Sequence, residues 1–137
     1  MSKYLIGKTI EKIRIASDKK AILFVTNDEN VVANADGDCC SETWIEHVSL
    51  PAMGFPCKVV SMGSVEMPNL GSPNKYRVIS YYGYKITTDK GDILIDYRNK
   101  SNGYYGGNLC FPDDYFYGGV YGQNISNEEW KDIEKDI

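Results

Sequence analysis

The chain has few of the residues that build most catalytic and metal sites. It holds one histidine, His47, and four cysteines. No two cysteines have the spacing, with about two to four residues between them, that structural zinc sites use. No Ser–His–Asp order, carboxylate pair or metal-ligand set stands out along the sequence. We therefore expect no catalysis, no metal and no cofactor.

Basic charge and long apolar runs are also scarce. The net charge is −4 and the pI is about 5.0, whereas general nucleic-acid binders carry a basic footprint. No stretch approaches the roughly 20 apolar residues of a membrane span, and the N-terminus has too short an apolar run for a secretory signal. These features predict a soluble cytoplasmic protein with reduced cysteines, bound to neither DNA nor membrane.

Tyrosine and glycine, in contrast, are plentiful. The 137 residues, enough for one domain spanning 1–137, include 11 tyrosines against 4 phenylalanines, and 13 glycines. Tyrosine has a ring that stacks and a hydroxyl that forms hydrogen bonds, so it suits half-exposed strands and binding surfaces. Glycine allows turns with positive φ and close backbone approach. This composition favours a binding domain rich in turns.

The hydrophobic pattern predicts an α+β fold built mainly from an antiparallel β-sheet. A β-meander is followed by longer strands, one of them joined to the next by a hairpin at Asp89-Lys90-Gly91. The predicted strands are Thr9–Ala16, Ala21–Thr26, Val31–Ala35, Cys57–Met67 with a possible bulge at Gly63, Tyr76–Thr88 and Asp92–Arg98.

Two helices complete the predicted fold. Residues 41–49 are predicted as a short helix after the third strand, because Cys40, Trp44 and Val48 are four residues apart and would share one face. The tail from Asn127 to Asp136 is predicted as a second helix, with Ser126 as its N-cap and a capping box.

The first candidate functional segment is Asp36–His47, a loop that leads into the predicted first helix. One interpretation is an anion site at the helix N-terminus, where free N–H groups meet the ligand. The structural alternative, which the residues favour, is that Asp38 and Ser41 cap the helix while Cys40 and Trp44 pack in the core.

The second candidate segment follows the last predicted strand and extends from Asp96 to Gly107. Its arginine can bind a phosphate with two N–H groups, its amides and hydroxyl can donate to phosphate or ribose oxygens, and its tyrosines can stack on a base. These residues are Arg98, Asn99, Ser101, Asn102, Tyr104 and Tyr105. The alternative is a glycine-rich hairpin end in which Arg98 pairs with Asp96.

A tyrosine stripe at residues 81–84 is the third candidate. Aromatic side chains on strands most often pack in the core or across strands. If one of them stacks on a ligand, we expect it to be Tyr82.

Several of these segments together resemble the Thoeris anti-defence proteins of the first type, a family encoded by phages. The resemblance covers most of the chain and rests on distinctive motifs. They are Gly7-Lys8-Thr9-Ile10, Gly37-Asp38-Cys39-Cys40-Ser41, Trp44-Ile45-Glu46-His47 and Tyr104-Tyr105-Gly106-Gly107.

This resemblance implies a molecular sponge that acts in the cytoplasm of an infected bacterial host. Such proteins bind the cyclic ADP-ribose isomers made by TIR-domain enzymes and sequester them intact, which blocks Thoeris immunity. The resemblance also implies a homodimer or larger homo-oligomer with pockets where protomers meet, and some relatives bind cyclic oligonucleotides at separate sites.

Two other functions remain open from the residues. The chain could be a protein-binding inhibitor of a host defence protein or nuclease, although its acidic residues are dispersed and form no block. It could also be an enzyme that cleaves the cyclic nucleotide, but it lacks a credible acid–base set.

Overall fold

The computed structural model describes residues 3–37, 40–103, 105–114 and 129–137. Within these residues the chain forms antiparallel strands that join into one sheet. The strands are β1 (Thr9–Ala16), β2 (Ala21–Thr26), β3 (Asn30–Gly37), β4 (Glu42–Ser49), β5 (Cys57–Glu66), β6 (Val78–Thr88), β7 (Gly91–Ser101), β8 (Gly107–Cys110) and β9 (Trp130–Asp132).

The sheet curls until its two ends meet. Its order is β4-β7-β6-β5-β1-β2-β3-β8, and β9 pairs with part of the β1 edge. The end strand β4 contacts β3 and β8, the strands of the opposite end. The Ile45 N–H donates to the Lys19 carbonyl oxygen in the β1–β2 turn over 2.7 Å. The curl therefore encloses one continuous core.

The core is formed by the inward-facing half of each strand. Along β7 the buried side chains Ile93, Ile95 and Tyr97 alternate with outward ones, as the two-residue period of a strand requires. Phe24 and Phe111 stack in the same core with ring centroids 6.0 Å apart. Each such side chain contributes about 1.5–3 kcal/mol through burial.

The predicted helix at residues 41–49 is wrong, because this segment is strand β4. Thr43, Ile45 and Val48 are buried, and a β-bulge lies between Ile45 and His47. The bulge adds one residue, so the last two buried positions are three apart and resemble helical spacing. Trp44 lies on the other face of the strand and does not share a face with Val48.

The predicted C-terminal helix is also wrong in the part that the structure describes. Residues 130–132 form β9 and pair with Arg14–Ala16 of β1, and the Ile133 N–H donates to the Ile13 carbonyl oxygen. The unpaired edge of β1 needs backbone partners, and this tertiary requirement outweighs the local helical pattern. Ser126 and Asn127 lie outside the described residues.

The α+β class is thus corrected to a mainly antiparallel β-sheet, with no α-helix in residues 3–37, 40–103, 105–114 and 129–137. The same residues contain no helix with the length and hydropathy needed to cross a membrane. The first two strands have their predicted bounds. The bulge expected at Gly63 lies instead between Val59 and Ser61.

Candidate functional site

The length of β7 determines how the candidate residues are distributed. The strand was expected to end at Arg98, but it continues to Ser101 and pairs with β4 and β6 over this length. Successive side chains of a strand point to opposite faces. Asn99 and Ser101 are therefore buried on the inner face, whereas Arg98 and Lys100 lie on the outer face.

On the outer face, two aromatic side chains flank Arg98 on the neighbouring strands. Trp44 of β4 and Tyr81 of β6 are both register partners of Arg98. The guanidinium carbon of Arg98 lies 4.9 Å from the centroid of the Tyr81 ring, which is within the range of a cation–π contact. We call Trp44, Arg98 and Tyr81 the outer row.

Two carboxylates contact the arginine of the outer row. Asp96 accepts hydrogen bonds from Arg98 Nε at 3.5 Å and Nη2 at 3.3 Å. Glu46 lies 3.9 Å from Nη1, a distance for an ion pair but too long for a hydrogen bond. A guanidinium has five N–H donors, so three have no hydrogen-bond acceptor among the residues that the structure describes.

These contacts hold the guanidinium in place and leave part of its hydrogen-bonding capacity unused. The Arg98 side chain is 17% exposed and that of Asp96 is 11% exposed. Glu46 is itself oriented by the Trp44 indole, whose Nε1 donates to Oε2 over 2.7 Å. The outer row therefore presents aromatic rings, a cation and carboxylate oxygens together on one sheet face.

On the inner face of the sheet, next to the outer row in sequence, a buried hydrogen bond joins β7 to β4. Asn99 Nδ2 donates to Thr43 Oγ1 over 2.9 Å, and both residues are buried. Gly37 and Gly107 are register partners on β3 and β8. A Cβ placed on Gly37 would lie 2.5 Å from Thr43 Oγ1, 2.9 Å from Asn99 Nδ2 and 2.8 Å from Ser41 Oγ.

We call this contact between the two sheet ends the inner seam, formed by Gly37, Gly107, Thr43 and Asn99. A Cβ on Gly107 would also lie 2.8 Å from Thr43. Both glycines are needed because the backbones approach Thr43 and Asn99 too closely for any side chain. The inner seam is consequently packed tightly around the side chain of Asn99.

Tyrosine hydroxyls extend the inner seam toward the core. The Gly107 N–H donates to the Tyr82 hydroxyl over 3.3 Å, and the Tyr82 and Tyr97 rings stack with centroids 5.2 Å apart. Burial raises the pKa of Tyr97 to about 12, against a smaller opposing effect from its hydrogen bond with the Leu109 backbone. These hydroxyls connect β6 and β7 to β8, which does not pair with them as a strand.

The loop after β7 is organised by Ser101. Its hydroxyl donates to the Tyr105 carbonyl oxygen over 3.2 Å and accepts from the Gly103 N–H over 3.0 Å. Asn102 is exposed within this loop. Ser101 thus closes the turn with two local hydrogen bonds.

The structure divides the candidate residues predicted from sequence between two places. Arg98 belongs to the outer row, whereas Asn99, Ser101 and Tyr82 belong to the inner seam and its surroundings. Ser41 lies beside Gly37, and Tyr105 and Asn102 lie in the loop after β7. Asp38 and Tyr104 lie outside the described residues. The predicted residues therefore do not converge on one ligand.

Sequence reasoning missed Trp44, Tyr81 and Glu46 as neighbours of Arg98. The sequence pattern places Trp44 on the buried face of a helix. It also favours Tyr82 over Tyr81 as the tyrosine that would stack on a ligand. If the last predicted strand is extended to Ser101, the alternation of side chains along it places Arg98 and Lys100 together on one face of the sheet. The sequence does not show which residues of the neighbouring strands lie beside Arg98, because that depends on how the strands pair.

The fold and the site together describe a β-sheet domain with a polar and aromatic outer face. The chain belongs to the family described as a domain of unknown function, DUF7448, whose model matches residues 3–111. No curated protein and no solved structure gives a significant match to this chain.

Proposed function

We propose that the protein binds a nucleotide signal through the outer row and sequesters it without reaction. The observation that carries this proposal is the state of the Arg98 guanidinium, which lies over Tyr81 and retains three N–H donors without an acceptor among the described residues. Arginine in this state can donate to phosphate oxygens while two other N–H groups hold it in place.

The remaining chemistry of the outer face matches the other parts of a nucleotide. Aromatic rings on a sheet face are suited to stacking on a base, at roughly 1–3 kcal/mol per base. Asp96 and Glu46 offer carboxylate oxygens that can accept hydrogen bonds from ribose hydroxyls. Lys100 is exposed on the same face, two residues after Arg98, and adds a second cation for a pyrophosphate.

The ligand that the resemblance implies is a cyclic ADP-ribose isomer, which contains an adenine, two riboses and a pyrophosphate. In this proposal the protein is a phage anti-defence protein that removes the signal in the cytoplasm of an infected bacterial host and thereby blocks Thoeris immunity. It is not an enzyme, so the ligand should be recovered unchanged after binding.

Tight binding by this surface is easier if a second copy covers it. Nanomolar affinity corresponds to about −12 kcal/mol, which is demanding for a surface open on one side. Beyond Val59, β5 has a strand partner on one side only among the described residues. Such an edge can pair with another chain, and this supports a homodimer or larger homo-oligomer, which native mass spectrometry would detect.

Calorimetric titration with the cyclic ADP-ribose isomer tests the outer row. Arg98→Gln should weaken binding at least 10-fold, because charge-assisted hydrogen bonds contribute about 1.5–3 kcal/mol. Arg77→Gln is the matched control, since Arg77 is exposed, precedes β6 and is not a member of the outer row. Equal affinity of the two variants would remove Arg98 from the site.

A second measurement identifies the surface and the fate of the ligand. Ligand should quench the fluorescence of Trp130→Phe protein, in which Trp44 is the remaining tryptophan, more than that of Trp44→Phe protein. After binding, the protein is heat-denatured and the supernatant is analysed by mass spectrometry. Intact ligand is expected, and a linear product would contradict sequestration.

A further inference from the structure

A large groove lies at the interrupted edge of β1, and none of its lining residues belongs to the outer row. Its volume is about 920 Å³, and it is bounded by β1, the loop before β5 and the tail after β9. Volumes of about 300–1,000 Å³ are typical of pockets that bind small ligands. The groove has an apolar floor that includes Leu50, Phe55 and Ile133.

The walls of the groove carry more carboxylates than cations. Four acidic and two basic side chains line it, which gives a formal charge of 2 − 4 = −2. Asp132 is occupied by Lys12 at 3.3 Å and Arg14 at 2.7 Å, and Asp136 accepts the Leu50 N–H over 2.7 Å. Glu11 and Glu134 form no ion pair with any described residue. Asp136 also forms no ion pair with a described residue, so the negative charge without a nearby cation lies on Glu11, Glu134 and Asp136.

Among the described residues, the strand pairing along this edge of β1 is interrupted. On this edge of β1, β5 pairs with Thr9 and Ile10, and β9 pairs from Arg14 onward. Ile133 supplies one more hydrogen bond, to Ile13. A bulge in β1 lies between Ile10 and Lys12, so the strand partners are interrupted at Glu11, beside the apolar floor.

We propose that this groove binds a basic peptide segment of a partner protein. An apolar floor accepts apolar side chains, the carboxylates of Glu11 and Glu134 attract lysine or arginine, and the interrupted edge of β1 offers a place for peptide backbone. A polyamine would use the carboxylates alone, whereas a peptide uses all three features. The proposal is independent of the nucleotide proposal, because the two surfaces share no residue.

The test is titration of the full chain with a short capped peptide of alternating leucine and lysine, followed by NMR shifts or fluorescence anisotropy. The peptide should shift residues around Leu50, Phe55 and Ile133. The double variant Glu11→Gln/Glu134→Gln should weaken binding about fivefold, as expected for two exposed ion pairs, and added salt should weaken it further.

The matched control is Glu42→Gln/Glu66→Gln, which removes two exposed carboxylates outside the groove and should leave peptide affinity unchanged. Arg98→Gln should also leave it unchanged, which separates this proposal from the outer row. The proposal is overturned if the glutamate-containing counterpart of the peptide binds equally well. It is also overturned if the two double variants bind the peptide with the same affinity. Displacement of the peptide by spermine, with an affinity equal to that of the peptide, would likewise overturn it.

Discussion

The two faces of the sheet at the end of β7 differ in how their polar groups are used. On the inner face, the Asn99 side chain donates to Thr43, and two glycine backbones pack against both residues. On the outer face, Arg98 is fixed by Asp96 and Tyr81 but keeps three N–H donors without an acceptor in the described part of the chain. Of these two residues adjacent in sequence, Asn99 therefore joins the sheet ends, whereas Arg98 lies on the outer face with hydrogen-bonding capacity that the described residues do not use.

This difference shows why a cluster of polar residues in sequence does not define a site. Arg98, Asn99 and Ser101 are near one another along the chain and all form hydrogen bonds. Strand geometry separates the first from the other two, since a strand turns successive side chains to opposite faces. We therefore expect substitutions on the inner face to lower stability without changing ligand affinity, and substitution of Arg98 to lower ligand affinity.

The largest expected effect is on the inner seam. Gly37→Ala should lower the free energy of unfolding by roughly 2 kcal/mol, because the new Cβ would overlap with Thr43 and Asn99. Urea unfolding measures this change. In the control Gly106→Ala, the Cβ would come within 3 Å of the Tyr82 hydroxyl alone, so a loss below about 1 kcal/mol is expected. Similar losses in both variants would show that the inner seam is not tightly packed.

A pair of variants at the neighbouring positions tests the comparison directly. Asn99→Ala should cost about 2 kcal/mol of stability, because it leaves the buried Thr43 hydroxyl without its partner, and should leave nucleotide affinity unchanged. Arg98→Gln removes the donors of the largely buried Asp96, so it should cost about 1–3 kcal/mol of stability, but of the two variants it alone should lose nucleotide affinity. Urea unfolding and calorimetric titration on both variants separate the two effects, and a loss of affinity in Asn99→Ala protein would place the two residues in one site.

The smallest effect at neutral pH is expected at Tyr97. Because its pKa in the folded chain is about 12, above the ordinary value of about 10, its stabilising contribution is complete below pH 10. That contribution is lost as the pH rises through about 12. Tyr97→Phe should cost about 1 kcal/mol at neutral pH and should make stability fall less steeply in alkali.

Urea unfolding between pH 9 and pH 12 checks this prediction, because this range spans the ordinary pKa of tyrosine and the raised pKa of Tyr97. Tyr76→Phe is the control, since Tyr76 is 72% exposed and its replacement should leave the alkaline slope unchanged. Burial also raises the pKa of Tyr84, so Tyr97→Phe should remove only part of the alkaline loss. An unchanged slope in Tyr97→Phe protein would contradict the buried position of this hydroxyl.

Strands rich in apolar and β-branched residues could be predicted from the sequence even where they contain a bulge. β1 has its predicted bounds although a bulge lies between Ile10 and Lys12, and the continuous apolar run of β2 also has its predicted bounds. The helix predicted over residues 41–49 rests on the four-residue spacing of Cys40, Trp44 and Val48, but a bulge between Ile45 and His47 puts Trp44 and Val48 on opposite faces of β4. At the candidate site, the chemistry of Arg98 is evident from the sequence, whereas Trp44 and Tyr81 become its neighbours only through strand pairing.

By itself the sequence determined the scarcity of residue types that build catalytic sites and the β-strands with regular apolar patterns. Only the tertiary structure decided that β7 continues to Ser101, that β9 pairs with β1, and that Gly37 and Gly107 meet Thr43. The physical reason is that side-chain chemistry and periodicity are local properties. Strand register, edge pairing and the close approach of the sheet ends depend on residues far apart in the chain.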